Sequence, residues 1–206
     1  MRKSSVLLLF TKNVEKGKVK TRLAATVGDD KALEIYEQLL DYTIEFTDKL
    51  PFPKHVYYAW NIEGEDRWSK NNFEKRLQVE GDLGDKMKHA FRESFKQGIS
   101  KVIIIGTDCA EINEEDVLRA EELLDEHEVV IGPALDGGYY LLAMRSMHDF
   151  IFENKPWSTE KLFDLTTKEL KDKGVSYALL APKSDIDYEE DWMRPNYING
   201  MKVLND

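Results

Sequence analysis

The chain has 206 residues, 42% hydrophobic and 33% charged, with 12 glycines and 6 prolines, a composition that fits a packed globular domain and excludes fibrous and low-complexity classes. Its formal net charge of -10 argues against a nucleic-acid binder, which needs a basic face to track phosphates, and against attraction to an anionic membrane. A small anionic ligand stays open, because it responds to the local field rather than to the total charge.

Met1-Arg2-Lys3 and the apolar run at 6–10 imitate a signal peptide, but the run is short and Lys12 interrupts it, so it reads as a first strand. Further runs rich in β-branched and aromatic residues predict strands at 55–60, 102–105, 129–131, 139–143 and 177–180. Between them the period becomes helical. Ala32, Leu33, Tyr36, Leu39, Leu40, Thr43 and Ile44 share a face after Gly28-Asp29-Asp30, and a second helix carries Met87, Ala90, Phe91 and Phe95 and stops at Gly98. A third begins at Asn113 and carries Val117, Ala120, Leu123 and Leu124. A fourth is expected from near Ser158 to Gly174, carrying Leu162, Phe163, Thr166 and Leu170. Strands alternating with such helices predict an α/β fold with a mostly parallel sheet covered on both faces, and ligands of such sheets bind beyond the strands' carboxyl ends. The length and the lack of a linker or repeat fit one domain over 1–206, with a less periodic tail after about 192 that reads as an arm or an edge element.

No stretch approaches the roughly 20 apolar residues needed to span a bilayer. Cys109 is the only cysteine, which rules out an internal disulfide and suits a reducing compartment; the cytoplasm is the expected location. Cys109 reads as a buried small hydrophobe rather than a nucleophile, and the histidines 55, 89, 127 and 148 lack metal-ligand spacing.

The chemistry-bearing segments begin with the loop at 10–23, where Lys12, Lys16, Lys18, Lys20 and Arg22 are opposed only by Glu15. In an acidic chain this local reversal fits an anion cradle, with Gly17 allowing a tight turn and the cations binding phosphate oxygens, although a solvated basic loop has the same composition. The glycine spacing is not that of a Walker loop. Gly106-Thr107-Asp108-Cys109 ends a buried strand in an acid that suits magnesium, or equally a turn aspartate. Asp185-Ile186-Asp187 follows another strand and could bracket the same metal. Asp136-Gly137-Gly138-Tyr139 reads either as a hairpin turn or as a site where small residues admit a sugar or acceptor while Asp136 accepts its hydroxyl hydrogen bonds. Gly81-Asp82-Leu83-Gly84 starts the second helix, where Asp82 could be a cap, and Trp157-Ser158-Thr159 reads as an aromatic anchor before a helix cap.

Taken together, Lys20-Thr21-Arg22-Leu23 and its loop, Gly81–Gly84, Gly106–Cys109, Asp136–Tyr139, Trp157–Thr159 and Asp185–Asp187 through Asp191 resemble the bacterial DUF2064 family of glycosyltransferases. More distantly, the loop and the aspartates are similar to molybdenum-cofactor and phospholactate guanylyltransferases. Where family members usually carry prolines, this chain has Glu15 or its neighbours, Ala110, and Tyr188 or Glu189, changes that touch rigidity more than charge.

The resemblance implies a single-domain, Rossmann-like GT-A fold of the nucleotide-diphospho-sugar transferase superfamily. It implies magnesium or manganese on Asp108 and Asp187, and nucleotide binding by Lys12, Gly17, Lys20, Thr21, Arg22, Asp82 and Gly106. Lys20 and Arg22 would act in catalysis by stabilising the departing diphosphate, with Asp136 orienting sugar or acceptor. The expected partners are a nucleotide sugar and a small-molecule acceptor. The alternatives are a nucleotidyltransferase that takes a nucleoside triphosphate and releases pyrophosphate, and a nucleotide-sugar sensor without turnover.

Overall fold

The computed structural model of the chain describes residues 4–70 and 72–194. The central strand β1 (Ser5–Thr11) is apolar on both sides: Leu7 and Leu9 enter one core, Val6 and Leu8 the other. β4 (Lys101–Gly106) divides in the same way, with Ile103 and Ile105 on one face and Val102 and Ile104 on the opposite one. Strands buried on both faces give continuous rather than alternating apolar runs, which is why these segments stand out in the sequence. Each large aliphatic side chain taken fully out of water contributes about 2 kcal/mol.

The sheet has seven strands in the order β3-β2-β1-β4-β6-β5-β7, completed by β2 (Lys54–Tyr58), β3 (Phe73–Leu77), β5 (Val129–Pro133), β6 (Tyr139–Met144) and β7 (Tyr177–Leu179). β6 runs antiparallel to both its neighbours; the other pairings are parallel. On one face lie α2 (Asp29–Asp48) through Tyr36, Leu40 and Phe46, and α4 (Glu114–Leu123) through Val117 and Ala120. On the other lie α3 (Leu83–Lys96), through Met87, Ala90 and Phe91, and α5 (Leu162–Asp172), through Leu170. Helices cover both faces, as the alternating periods predict. None of the described helices is long and apolar enough to cross a membrane.

Three expectations need correction. β3, sequence FEKRL, is missing from the expected strands, because as an edge strand it buries only Phe73 and its charges hide the pattern. The segment after Lys20 is not loop throughout: a short helix, α1 (Thr21–Val27), begins there. The fourth predicted helix does not start near Ser158, since Ser158 has a left-handed φ of 61°, the Thr159 hydroxyl donates to the Pro156 carbonyl at 2.8 Å, and α5 begins only at Leu162. The predicted arm after 192 falls almost wholly outside the described residues, beyond the short helix α6 (Glu189–Trp192).

From β1 the sheet order runs to β2 and β3 on one side and to β4 on the other. This reversal opens a crevice outside the carboxyl ends of β1 and β4, the usual ligand position in open α/β sheets.

Candidate functional site

The loop leaving β1 is held from below by Tyr36 of α2, which is only 2% exposed. Its hydroxyl donates to the Lys12 carbonyl at 2.8 Å, accepts the Lys12 N–H at 2.9 Å and lies 3.1 Å from the Thr11 hydroxyl. Burial, reinforced by the nearby charge of Asp108, pushes this hydroxyl's pKa up to about 12, so it stays a neutral donor. Asn13, also buried, donates to the Asn61 carbonyl and the Glu63 carboxylate and accepts the Trp60 N–H, which ties the loop to the segment after β2. The chain turns at Gly17, φ +77°. There Lys16 pairs with Asp30 and Lys18 with Glu15, so these two cations face acids of their own surface. The chain then returns inward at Lys20, which adopts a left-handed conformation (φ 47°, ψ 43°) uncommon outside glycine, asparagine and aspartate.

The Lys20 side chain is 3% exposed and ends among oxygens. Its Nζ lies 2.6 Å from Asp108 Oδ1, donates to the Ile186 carbonyl at 2.6 Å, and lies 3.8 Å from Asp187 Oδ1. Arg22 Nη1 meets the other oxygen of Asp187 at 3.0 Å. Thus Lys20 and Arg22, from the start of α1, meet Asp108, from the end of β4, and Asp187, from beyond β7. Burial opposes ionisation of Asp108, but Lys20 and Lys12 outweigh it and hold its carboxyl below the usual range. Asp185 is the opposite case: burial and the charge of Asp108 push its pKa up to about 7, against the pull of Lys20.

The segment at 183–187 is pinned at several points. Ile186 is fully buried among Leu23, Ala32, Ile35 and Leu39, and its N–H donates to the Asp108 carbonyl at 3.0 Å. The Ser184 N–H donates to Glu111 Oε2, and Lys183 reaches the Glu111 carbonyl and Asp116. Downstream, one oxygen of Asp191 accepts the N–H groups of Asp187 and Tyr188 at 3.1 and 3.0 Å.

The remaining candidates divide. Asp136 sits exposed in the hairpin turn between β5 and β6, where its Oδ1 accepts the Gly138 N–H at 2.9 Å; its charge contributes to raising Asp185, so it shares this edge. Gly137 adopts φ +88°, and a Cβ there would lie 2.2 Å from the Glu160 carbonyl oxygen, so its missing side chain serves packing rather than ligand access. Gly106 closes β4 beside Phe10, exposed at the crevice, and Thr21 is the exposed first residue of α1. Asp82, in contrast, is engaged as the cap of α3: its side chain accepts the Asp85 N–H at 2.9 Å and the Asp85 side chain accepts its own. Trp157 does act as an anchor, packing so closely on Gly84 that a Cβ there would lie 2.6 Å from its ring. The Cys109 thiol is buried, donates to the Ser184 carbonyl and is pushed well above the usual thiol range by burial.

Among the described residues no group of three or more His, Cys, Asp or Glu side chains is arranged to hold a metal ion. Asp108 and Asp187 nonetheless direct oxygens at one cation, Lys20 Nζ. Two convergent carboxylates fit magnesium or manganese when phosphates and water fill the other positions.

Tyr36, Asn13 and Asp191 support the site, a role no local pattern assigns: periodicity marks Tyr36 only as a position on the apolar face of α2, and Asp191 appears only at the end of the segment that carries the resemblance. The one available signal is Tyr36 itself, since a tyrosine on the apolar face of a helix needs a partner for its hydroxyl.

A seven-stranded, mostly parallel sheet with helices on both faces and a cation-acid crevice at its switch point is the fold of a nucleotide-diphospho-sugar transferase. Over 98% of its length the chain is similar to the crystal structure of a candidate nucleotide-diphospho-sugar transferase from Desulfovibrio desulfuricans G20, with 26% identity, 95% of that chain covered and a TM-score of 0.82. The chain belongs to the bacterial family DUF2064, described as uncharacterized proteins conserved in bacteria, which it matches over residues 43–159. The fold is shared with 4-diphosphocytidyl-2C-methyl-D-erythritol synthase from Anaerococcus prevotii DSM 20548, at 12% identity, 98% and 97% coverage and TM-score 0.57. It is shared too with the inositol-1-phosphate CTP transferase from T. maritima, at 12% identity, 99% and 97% coverage and TM-score 0.55. No curated protein matches the chain.

Proposed function

We propose that this protein is a metal-assisted glycosyltransferase that moves a sugar from a nucleotide-diphospho-sugar to a small-molecule acceptor. The observation that carries the reading is the meeting of Lys20 and Arg22 with Asp108 and Asp187 at the β1–β4 crevice. In glycosyl transfer the bond between the anomeric carbon and the diphosphate breaks, and the electron pair stays on the departing nucleoside diphosphate. Cations fixed where that charge develops lower the barrier without reorganising. Lys20 and Arg22 are the proposed phosphate contacts, with Lys12 adding charge from the exposed start of the loop and Thr21 and Gly106 proposed as further nucleotide contacts, whereas Gly17, at the outward turn between Lys16 and Lys18, is proposed to shape the loop. A magnesium or manganese ion held by Asp108 and Asp187 would supply further positive charge to the leaving group. The second oxygen of Asp136 is proposed to accept a hydroxyl hydrogen bond from sugar or acceptor. The cap at the start of α3 gives Asp82 a smaller part than the sequence implies.

The likeness to the Desulfovibrio protein, which spans nearly the whole of both chains, supports a transferase of nucleotide-activated substrates. The cytoplasm, where such donors are held and where the buried Cys109 thiol stays reduced, is the proposed setting. A panel of nucleotide sugars and nucleoside triphosphates, each with magnesium, tests the reading when nucleoside diphosphate and pyrophosphate are measured separately. Nucleoside diphosphate released from a nucleotide sugar is the expected result. Pyrophosphate released only with a phosphorylated partner would replace glycosyl by nucleotidyl transfer, and tight binding without turnover across the acceptors tested would indicate a sensor.

A further inference from the structure

Lys20 carries its ammonium into the space that Asp108 and Asp187 share. The group has oxygens of Asp108 and Ile186 at 2.6 Å and of Asp187 at 3.8 Å, which is the environment of a bound cation rather than of a side chain waiting for a ligand. Its backbone is fixed: Val19 and Leu23 on either side are buried, and the left-handed turn at Lys20 aims the side chain inward. Loop motion therefore cannot carry the ammonium away, whereas rotation about the four flexible bonds of the lysine stem can.

Charge counting then limits what else can enter. Asp108 and Asp187 are matched by Lys20 and Arg22, Lys12 adds further positive charge near Asp108, and the neighbouring Asp185 is itself pushed toward its neutral form by burial and by Asp108. A divalent ion on Asp108 binds at about 2.0–2.1 Å from oxygen. With the ammonium at 2.6 Å from one oxygen of that same carboxylate, the two cations would share it and repel each other, and Asp108 and Asp187, already matched by Lys20 and Arg22, have no spare charge to offset the metal. A polyphosphate supplies that charge and offers the ammonium new acceptors.

We infer that Lys20 is a built-in counter-ion which a divalent metal must displace, so that Asp108 and Asp187 take the metal only together with a polyphosphate that accepts the lysine. This rests on the reading of the crevice as a metal-assisted nucleotide site and adds an order to it: metal and phosphates arrive as one unit, and free metal is excluded. A neutral residue of similar shape at position 20 uncouples the two events.

Calorimetric titration of the full chain with manganese chloride, alone and with inorganic pyrophosphate, reads this directly. Wild type is expected to bind manganese alone weakly and about tenfold or more tightly with pyrophosphate, whereas Lys20→Met binds manganese alone about tenfold or more tightly than wild type and gains little from pyrophosphate. Wild type that binds manganese as tightly alone as with pyrophosphate, or a folded Lys20→Met protein that binds it no more tightly than wild type, overturns the inference. Should circular dichroism show Lys20→Met unfolded, wild-type crystals soaked in manganese chloride decide. Manganese that appears only with pyrophosphate, with Lys20 turned onto phosphate, supports the exclusion; manganese on Asp108 beside an unmoved Lys20 overturns it. No manganese under any condition overturns the inference and the metal assignment together, while metal-free nucleotide titrations judge the phosphate site separately.

Discussion

The backbone N–H of Ile186 donates to the carbonyl oxygen of Asp108 at 3.0 Å, joining the two stretches of chain that carry the candidate metal carboxylates. The Ile186 side chain is fully buried between them and the first two helices, so one residue fixes Asp187 relative to both Asp108 and Lys20. Ile186→Ala should cost about 2–5 kcal/mol in urea denaturation and also weaken metal-dependent nucleotide binding, although no carboxylate is removed. Ile186→Val should cost about 1 kcal/mol and leave binding nearly intact. Lost stability with unchanged nucleotide affinity in the alanine variant would separate this anchor from the site.

Tyr36 is expected to act on binding from a distance. Tyr36→Phe leaves the N–H and carbonyl of Lys12 without their buried partner and should cost about 2 kcal/mol. The β1 loop would lose its fixed start, so nucleotide affinity falls with stability. Calorimetry alongside denaturation checks this, and full affinity in the variant would show that the loop is held elsewhere.

Chemically identical changes at two glycines should differ. Gly98 adopts φ +82°, and a Cβ added there would meet nothing within 4 Å, so Gly98→Ala should cost about 1 kcal/mol. Gly137→Ala combines φ +88° with backbone atoms of Glu160 as near as 2.2 Å and should cost about 3 kcal/mol or more. Similar melting temperatures for the two variants would mean that the hairpin yields easily.

These contrasts mark where the sequence is readable. β1 and β4 are legible because burial on both faces leaves unbroken apolar runs, and α2 because its apolar positions repeat at the helical period. β3 is not, since its position at the sheet edge requires only Phe73 to be buried. α1 has no side-chain cap to announce it, and its start depends on a left-handed Lys20 stabilised by acids far along the chain. The reversed direction of β6 is visible only as an ambiguous Asp136-Gly137 turn signal. At the site, the basic loop and the aspartates can be picked out one by one. That Lys20 lies between Asp108 and Asp187 is a matter of tertiary register, which no local pattern encodes.

A pH dependence follows from Asp185, whose pKa is pushed up to about 7 by burial and by the neighbouring Asp108. The folded protein keeps this proton where an ordinary aspartate in the unfolded chain, with a pKa of about 4, has lost it. Its contribution to stability therefore falls as pH rises from about 4 to about 7 and is level above that. Asp108 has the opposite sign, its stabilisation being lost only in acid, as pH falls through its depressed folded value. Asp185→Asn should raise the melting temperature at pH 8 relative to wild type and flatten the profile between pH 4 and 7. Parallel profiles for the two proteins would contradict this environment for Asp185.

The central claim, that Lys20 and Arg22 bind the phosphates of a nucleotide, is tested most directly by calorimetric titration of wild type, Lys20→Ala and Arg22→Ala with a nucleoside diphosphate and with the matching nucleoside. Each substitution should weaken the diphosphate by about tenfold or more and the nucleoside little, because a charge-assisted hydrogen bond to phosphate is worth roughly 1.5–3 kcal/mol. Lys18→Ala, whose ammonium pairs with Glu15 on the outer side of the loop, should change neither appreciably. Equal losses for nucleoside and diphosphate in the Lys20 and Arg22 variants, or no loss for either, would contradict the account.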